Sequence, residues 1–397
     1  MTQFPDRPQA AEATPGERTA QARADMAACR AALREGSYTF YAASLILPPS
    51  IREPASALYA FCRLADDVVD NGHNPHAAVA LLRRRLDLAY RSGHMRAGTL
   101  HEFSEPVDRA MAALVQEFDI PRTLPEALLD GFEWDANGRR YETLEDVHDY
   151  AARVAGSVGA MMALLMGVRS PQGLARACDL GVAMQLSNIA RDVGEDARMG
   201  RLYLPRQWLR EAGVDPDLWL AQPEFTPAIA SVVQRLLRAA EQLYVQVDAG
   251  VAELPLSCRP GINAARYLYA EIGREVARRG GDSISQRAVV PRSRKAWLLA
   301  QAFVRLAPRG ATTPLDCLAA TRYLVDAAAR DATPALAHPP AGSRPHPRAA
   351  EVAQVAEWWR LGKRAEQRAT WVIDLFERLE RRERLMGASP LIQAGRK

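Results

Sequence analysis

Two acidic segments hold the side chains best suited to chemistry. In ALYAFCRLADDVVDNG (57–72), Tyr59, Arg63, Asp66 and Asp70 recur at i, i+4, i+7 and i+11, so they share one helix face, with Asp67 beside them. In DLGVAMQLSNIARDVGEDARMGRLYLP (179–205), Gln185, Asn188, Asp192 and Asp196 recur at i, i+3, i+7 and i+11, flanked by Arg191 and Glu195. Like charges one turn apart cost helix stability unless something positive lies between them. Carboxylates on facing helices are hard oxygen ligands for Mg²⁺, which keeps several waters and takes further ligands from a substrate's phosphates. Carboxylates alone would repel a diphosphate. With magnesium bridging, Arg63, Arg191 and Arg201 can take the outer phosphate oxygens. A solvated acidic turn would account for either segment alone. Two such segments, each with an apolar back and basic neighbours, favour metal and diphosphate.

The elements that must position these residues are helices. Leu58, Phe61, Cys62, Ala65 and Val69 form a core-facing stripe on the first acidic helix, and Val182, Leu186, Ile189 and Val193 do so on the second. Helical periodicity runs from about residue 22 to 330, broken by LPPS, NGHNPH, GVRSPQG and RPG. The extended-looking YLP (203–205) and AVVP (288–291) are too short for a sheet, so the fold class is all-α. Residues 1–20 are polar and aperiodic and read as a disordered lead; 21–330 read as one helical domain. Residues 331–350 read as a Pro-rich linker. Residues 351–397 read as a C-terminal helical extension, either docking Trp358, Trp359 and Trp371 on the core or lying on a membrane.

Composition narrows the field further. With 51 basic and 47 acidic residues the net charge is +4, too small a surplus for a nucleic-acid footprint. Five cysteines without CxxC spacing argue against a zinc site or a disulfide framework and favour a reducing cytosol. The N-terminus lacks the apolar core of a signal peptide, and no run of 18 apolar residues appears. The expected location is cytoplasmic or peripheral to a membrane.

The segments SYTFYAASLILPPSIREPASALYAFCRLADDVVD, YAARVAGSVG, QLSNIARDVGEDARMGRLYLP and GINAARYLYAEI, in that order, resemble the head-to-head prenyl synthases. That is the squalene and phytoene synthase family, and within it the similarity is greatest to bacterial phytoene synthases. The resemblance spans about residues 25–300. It implies an isoprenoid synthase-type helical domain with a central cavity and acidic motifs on opposing walls. By motif, it gives Asp66, Asp67, Asp70, Asp192 and Asp196 as magnesium-diphosphate ligands. Ser37, Thr39 and Phe40 match the opening motif that contacts a diphosphate and the start of its tail. Tyr59, Arg63, Gln185, Asn188 and Arg191 fall in the two acidic-helix motifs, while Tyr150, Tyr269 and Arg287 match positions that line the cavity or hold diphosphate. Where many relatives carry a second Tyr in YxYxVAG, this chain has Ala152.

The implied reaction joins two geranylgeranyl diphosphates head to head, through a cyclopropylcarbinyl diphosphate, to a C40 hydrocarbon with release of two diphosphates. This is the first committed step of carotenoid biosynthesis. Mg²⁺ is the implied cofactor, with Mn²⁺ as a substitute, and no NADPH is expected. The general base stays open between Tyr150 and released diphosphate. VAGSVGAMMALLMG (154–167) suits a dry cavity wall and equally suits close helix packing through Ala155, Gly156 and Gly159. Small residues at Ala42, Ala43, Ser44 and Ser56 suggest a deep pocket for a C20 tail. The alternatives are a squalene- or dehydrosqualene-type enzyme using farnesyl diphosphate, and a non-catalytic family member acting as a scaffold. A hydrocarbon product has to leave into lipid, so the expected partners are a membrane surface and carotenoid-pathway enzymes, with no nucleic acid.

Overall fold

The computed structural model describes residues 14–36, 38–70, 74–91, 105–304 and 316–330. The expected linker at 331–350 and the extension at 351–397 lie outside them. Among the described residues every regular element is helical. The first five are α1 (Pro15–Gly36), α2 (Tyr38–Ile46), α3 (Pro49–Asp70), α4 (Pro75–Arg91) and α5 (Pro106–Glu117). Then come α6 (Thr123–Ala136), α7 (Leu144–Ala151), a π-helical turn (Ala152–Gly156), α8 (Ser157–Leu165) and α9 (Pro171–Arg198). The chain continues through α10 (Arg206–Glu211), α11 (Pro216–Ala221), α12 (Pro227–Val251), α13 (Arg259–Arg278), α14 (Arg292–Val304) and α15 (Arg322–Arg330).

The long helix α9 is the axis of the packing. Ser170 caps it by accepting from the Gly173 amide at 3.0 Å, and Pro171 follows at the first helical position, where its missing N–H costs nothing. Val182, Leu186, Ile189 and Val193 are buried, as their spacing predicts, and α9 packs against α8, α12, α13, α15 and the π turn. On the other side α3 buries Leu58, Phe61, Ala65 and Val69 against a group containing α1, α4, α5 and α6. Cys62 departs from the expected core stripe and faces the cavity described below.

The helical fold begins earlier than composition suggests, inside the stretch expected to be a disordered lead. Thr14 and Glu17 form a capping box: the Thr14 amide donates to Glu17 Oε2 at 2.7 Å and the Glu17 amide to Thr14 Oγ1 at 3.3 Å. This starts α1 at Pro15, and Arg109 of α5 then ties Asp25 of α1 through a two-pronged ion pair at 3.0 and 2.7 Å.

Candidate active site

A cavity of about 340 Å³ opens between α3 and α9. From α3 it receives Tyr59, Cys62, Arg63 and Asp66, and from α9 Gln185, Asn188, Ile189, Asp192 and Asp196. The two acidic helices thus face each other across one space, as their patterns predict. A third wall comes from Leu128, Phe132 and Asp135 of α6 with Tyr150 of α7 and Val154 of the π turn.

Arg201 and Tyr203 complete the lining, and the chain geometry after α9 explains how. Gly200 adopts φ +75°, the Gly200 amide donates to the Ala197 carbonyl at 2.9 Å and the Arg201 amide to the Asp196 carbonyl at 2.9 Å. This Schellman ending reverses the chain one turn past Asp196 and returns RLYLP to the cavity.

The charges in the site are arranged in opposing sets. Arg63 lies 3.3 Å from Asp66 and 2.6 Å from Asp67, supplying the positive charge that the first acidic turn needs. Arg287 reaches Asp192 at 2.9 Å and Glu195 at 3.7 Å, which places this residue at the second acidic motif. Arg191 pairs with Asp192 at 2.8 Å and stands behind the cavity wall instead of lining it. Burial, then Asp192, Glu195 and Asp135, push the Asp196 carboxyl up to about 7, against the opposing pull of Arg201. Burial likewise lifts the Tyr269 phenol beside Arg191 and Asp192, and pushes the Tyr59 phenol up to about 12. Phe40 stacks on Tyr59 with ring centroids 5.4 Å apart. Ser37 and the side chains of Thr39 and Asp70 lie outside the described residues.

Oxygen donors of the kind a divalent cation takes face this cavity, although among the described residues no three carboxylate, histidine or cysteine side chains gather closely enough to hold one. Among the described residues Asn188 Oδ1 is buried at the cavity without a hydrogen-bond partner, a hard oxygen not spent on them. Asp192 and Asp196 lie one and two turns further along the same helix, and burial first, then the Asp192 charge, holds the Asp196 carboxyl up against the pull of Arg201.

One expectation needs correction. Ala43, Ser44 and Ser56 are buried but do not line this cavity, and the Ala42 side chain lies outside the described residues. Ser44 Oγ donates to the Tyr41 carbonyl at 2.6 Å, and Ser56 Oγ to the Arg52 carbonyl at 2.8 Å, so both hydroxyls are spent on local backbone. At these three positions small size serves helix packing and does not widen this cavity. The Tyr150 hydroxyl donates to Asp135 Oδ2 at 2.7 Å, and burial keeps it well above the usual phenol range.

Asp135 and Tyr203 were not singled out by spacing. The Tyr203 hydroxyl donates to Asp135 Oδ1 at 2.7 Å, so one carboxylate receives two phenols. Tyr203 supplies the second phenol that Ala152 cannot. It stands in the RLYLP motif, which was its only sequence signal; Asp135, alone in WDANG, had none.

Residues 33–294 match the family described as Squalene/phytoene synthase. The chain is 53% identical over 319 residues to a phytoene synthase of Rhodobacter capsulatus, covering 78% of this chain and 91% of that one. It is 52% identical to a phytoene synthase of Cereibacter sphaeroides, covering 78% and 89%. Among solved structures, a dehydrosqualene synthase in complex with ligand matches with TM-score 0.65 at 30% identity, covering 72% of this chain and 98% of that one. A squalene synthase from Alicyclobacillus acidocaldarius shares the fold, with TM-score 0.59 at 23% identity, covering 66% and 96%.

Proposed function

The chain belongs to the squalene/phytoene synthase family, and on that footing we propose that it joins two geranylgeranyl diphosphates head to head into phytoene. The observation that carries the chemistry is one cavity lined by Arg63 and Asp66 from α3 and by Asn188, Asp192 and Asp196 from α9. Preference for the C20 substrate rests on the identity to phytoene synthases.

Asp66, Asp192, Asp196 and Asn188 Oδ1 would hold Mg²⁺, with Asp67 and Asp70 on the same acidic turn. Bound magnesium neutralises a diphosphate and makes it a better leaving group. Arg63, Arg201 and Arg287 would bind the outer diphosphate oxygens, and Arg63 and Arg287 stand beside the metal-binding carboxylates, paired with Asp66 and Asp192. Tyr59 and Phe40 form a stacked pair at the α3 wall, where the start of an allylic tail can lie. Leu128, Phe132, Val154 and Ile189 give the cavity its apolar wall. Tyr141, Tyr150 and Tyr203 pack with ring centroids 4.9 to 5.7 Å apart and exclude water; Tyr150 and Tyr203, which line the cavity, offer aromatic surface that stabilises a cation. The hydrocarbon product leaves into a lipid surface, which makes the enzyme a peripheral membrane protein in use.

Purified protein is incubated with Mg²⁺ and either geranylgeranyl or farnesyl diphosphate, without NADPH, and the hexane extract is analysed by mass. The expected product is a C40 hydrocarbon from the longer substrate, lost with EDTA and in Asp66→Ala and Asp192→Ala variants of unchanged helicity. A C30 product alone would overturn the substrate length. Full activity in both variants would sink the metal assignment, and silence of the folded wild type would sink the enzyme reading.

A further inference from the structure

The reaction proposed above loses two protons per product: one as the cyclopropane ring closes, for which the diphosphate already released is an acceptor, and one from the carbon next to the last cation, which requires an acceptor of its own. Asp66, Asp192 and Asp196 belong to the diphosphate end of the cavity. Asp135 differs in origin, coming from the last turn of α6, and in company, since it receives the phenols of Tyr150 and Tyr203 at 2.7 Å each. A phenol has one proton, so both protons point at Asp135, while the 3.5 Å between the two phenol oxygens leaves that contact weak. The lone pairs of the Tyr150 oxygen remain for the cavity that Tyr150 lines.

The surroundings are dry. Tyr141, Tyr150 and Tyr203 are almost wholly buried, and the Tyr141 hydroxyl has no hydrogen-bond partner among the described residues. Burial, followed by the Asp135 charge, raises Tyr150 and Tyr203 far above the ordinary phenol range. A tyrosinate is therefore not present to act as base. A neutral phenol in such a place takes up a proton only by giving away its own.

The geometry points to Asp135 as the final acceptor of the proton lost in the last, alkene-forming step, reached through Tyr150. The C–H bond beside the cationic carbon breaks, and its electron pair becomes the π bond of the central carbon–carbon double bond, which quenches the cation. The proton adds to the Tyr150 oxygen while the phenol's own proton passes to Asp135 Oδ2. Nothing is oxidised or reduced, and Asp135 returns its proton to solvent when products leave. Tyr203, bonded to the other carboxylate oxygen, fixes the orientation of Asp135. This assignment rests on the proposed condensation.

The test compares diphosphate released with hydrocarbon formed, using the full chain, Mg²⁺ and geranylgeranyl diphosphate. Wild type is expected to release about two diphosphates per hydrocarbon, as two substrates ionise for each product. In Asp135→Asn, which keeps size but accepts no proton, hydrocarbon formation falls on the order of a hundredfold. Ionisation suffers less, so the ratio rises at least roughly tenfold and water-quenched prenyl alcohols appear in the extract. Tyr150→Phe behaves alike, while Tyr203→Phe, which loses only the bond that orients Asp135, raises the ratio less than either. A purely structural role would lower both rates together, so an unchanged ratio in Asp135→Asn overturns the relay. If that variant does not fold, Tyr150→Phe decides by the same ratio. A wild type that forms no hydrocarbon would instead sink the condensation itself, and the relay with it.

Discussion

Asp179 and Arg176 sit one turn apart on α9, each about 1% exposed, with Arg176 Nη2 at 3.0 Å from Asp179 Oδ2. The approach is an ion contact without hydrogen-bond alignment: neither Asp179 oxygen has a hydrogen-bond partner among the described residues. Desolvation therefore outweighs the pull of Arg176, and the Asp179 carboxyl is pushed up to about 6. An unfolded chain would hold it near 3.8. Between these values the fold takes up a proton that the unfolded chain does not. Asp179 thus adds stability as pH falls through about 6, and that contribution is lost as pH rises again. Asp179→Asn has no such group, so the difference in Tm between the two proteins should move in favour of wild type from pH 7.5 to 5. A constant difference would mean that Arg176 keeps Asp179 ionised throughout. Asp179 shows what residue-scale reading of a sequence reaches. Asp66, Arg63, Asn188, Asp192 and Asp196 were legible because their relation is a helix period. The burial of Asp179 and the joining of Asp135 to Tyr150 and Tyr203 depend on packing between elements, which no local spacing encodes.

At the scale of elements, the junction between α9 and the π turn controls where the cavity wall stands. A Cβ at Gly181 would collide with the Ala155 carbonyl, and one at Gly159 with the Ala177 carbonyl, so α9, the π turn and α8 touch backbone to backbone. Gly131 similarly makes room for Val154, which lines the cavity. Ala in place of Gly inside a helix ordinarily gains up to about 1 kcal/mol. Here the obstacle is backbone, which cannot swing aside, and overpacking of this kind costs about 1 to 3 kcal/mol. We expect the clash to win: Gly181→Ala and Gly159→Ala should lower stability in urea unfolding. Gly16→Ala, with open space around its Cβ in α1, should leave stability unchanged or raise it. Equal effects at all three sites would refute the close approach. The sequence offered a dry wall and close packing as two readings of 154–167. Val154 belongs to the first and Gly159 to the second. The π turn itself was not legible, because its residues continue the α pattern on both sides. The start of α1 was legible in principle, since TPGE spells a capping box.

The whole molecule must deliver a water-insoluble product, and its surface offers a route. The outward face of α14 presents Ser293, Trp297, Ala300 and Val304 at i, i+4, i+7 and i+11, a stripe without charge. Trp297 is 51% and Val304 82% exposed, and Val289, just ahead of the helix, is 61% exposed. Arg292 and Arg294 stand at the helix start, where Arg294 lies over the Trp297 ring at 4.4 Å and also pairs with Glu271. Arg287, on the cavity rim through Asp192, is two residues before Val289, so this surface adjoins the site. No helix among the described residues is long and apolar enough to cross a bilayer. Apolar side chains with neighbouring arginines suit the interface of an anionic membrane, where each buried large side chain contributes about 1.5 to 3 kcal/mol. Co-sedimentation should therefore show binding to vesicles containing anionic lipid, weaker with zwitterionic lipid and at high salt. Trp297→Asp with Val304→Asp should reduce that binding at least roughly tenfold, by the area argument alone, while leaving turnover of detergent-dispersed substrate intact. Unchanged binding in the double variant would move the contact elsewhere, with the Trp-rich 351–386 stretch the next segment to delete. Absence of binding at low salt would sink the peripheral reading and leave product release to a carrier or a partner enzyme.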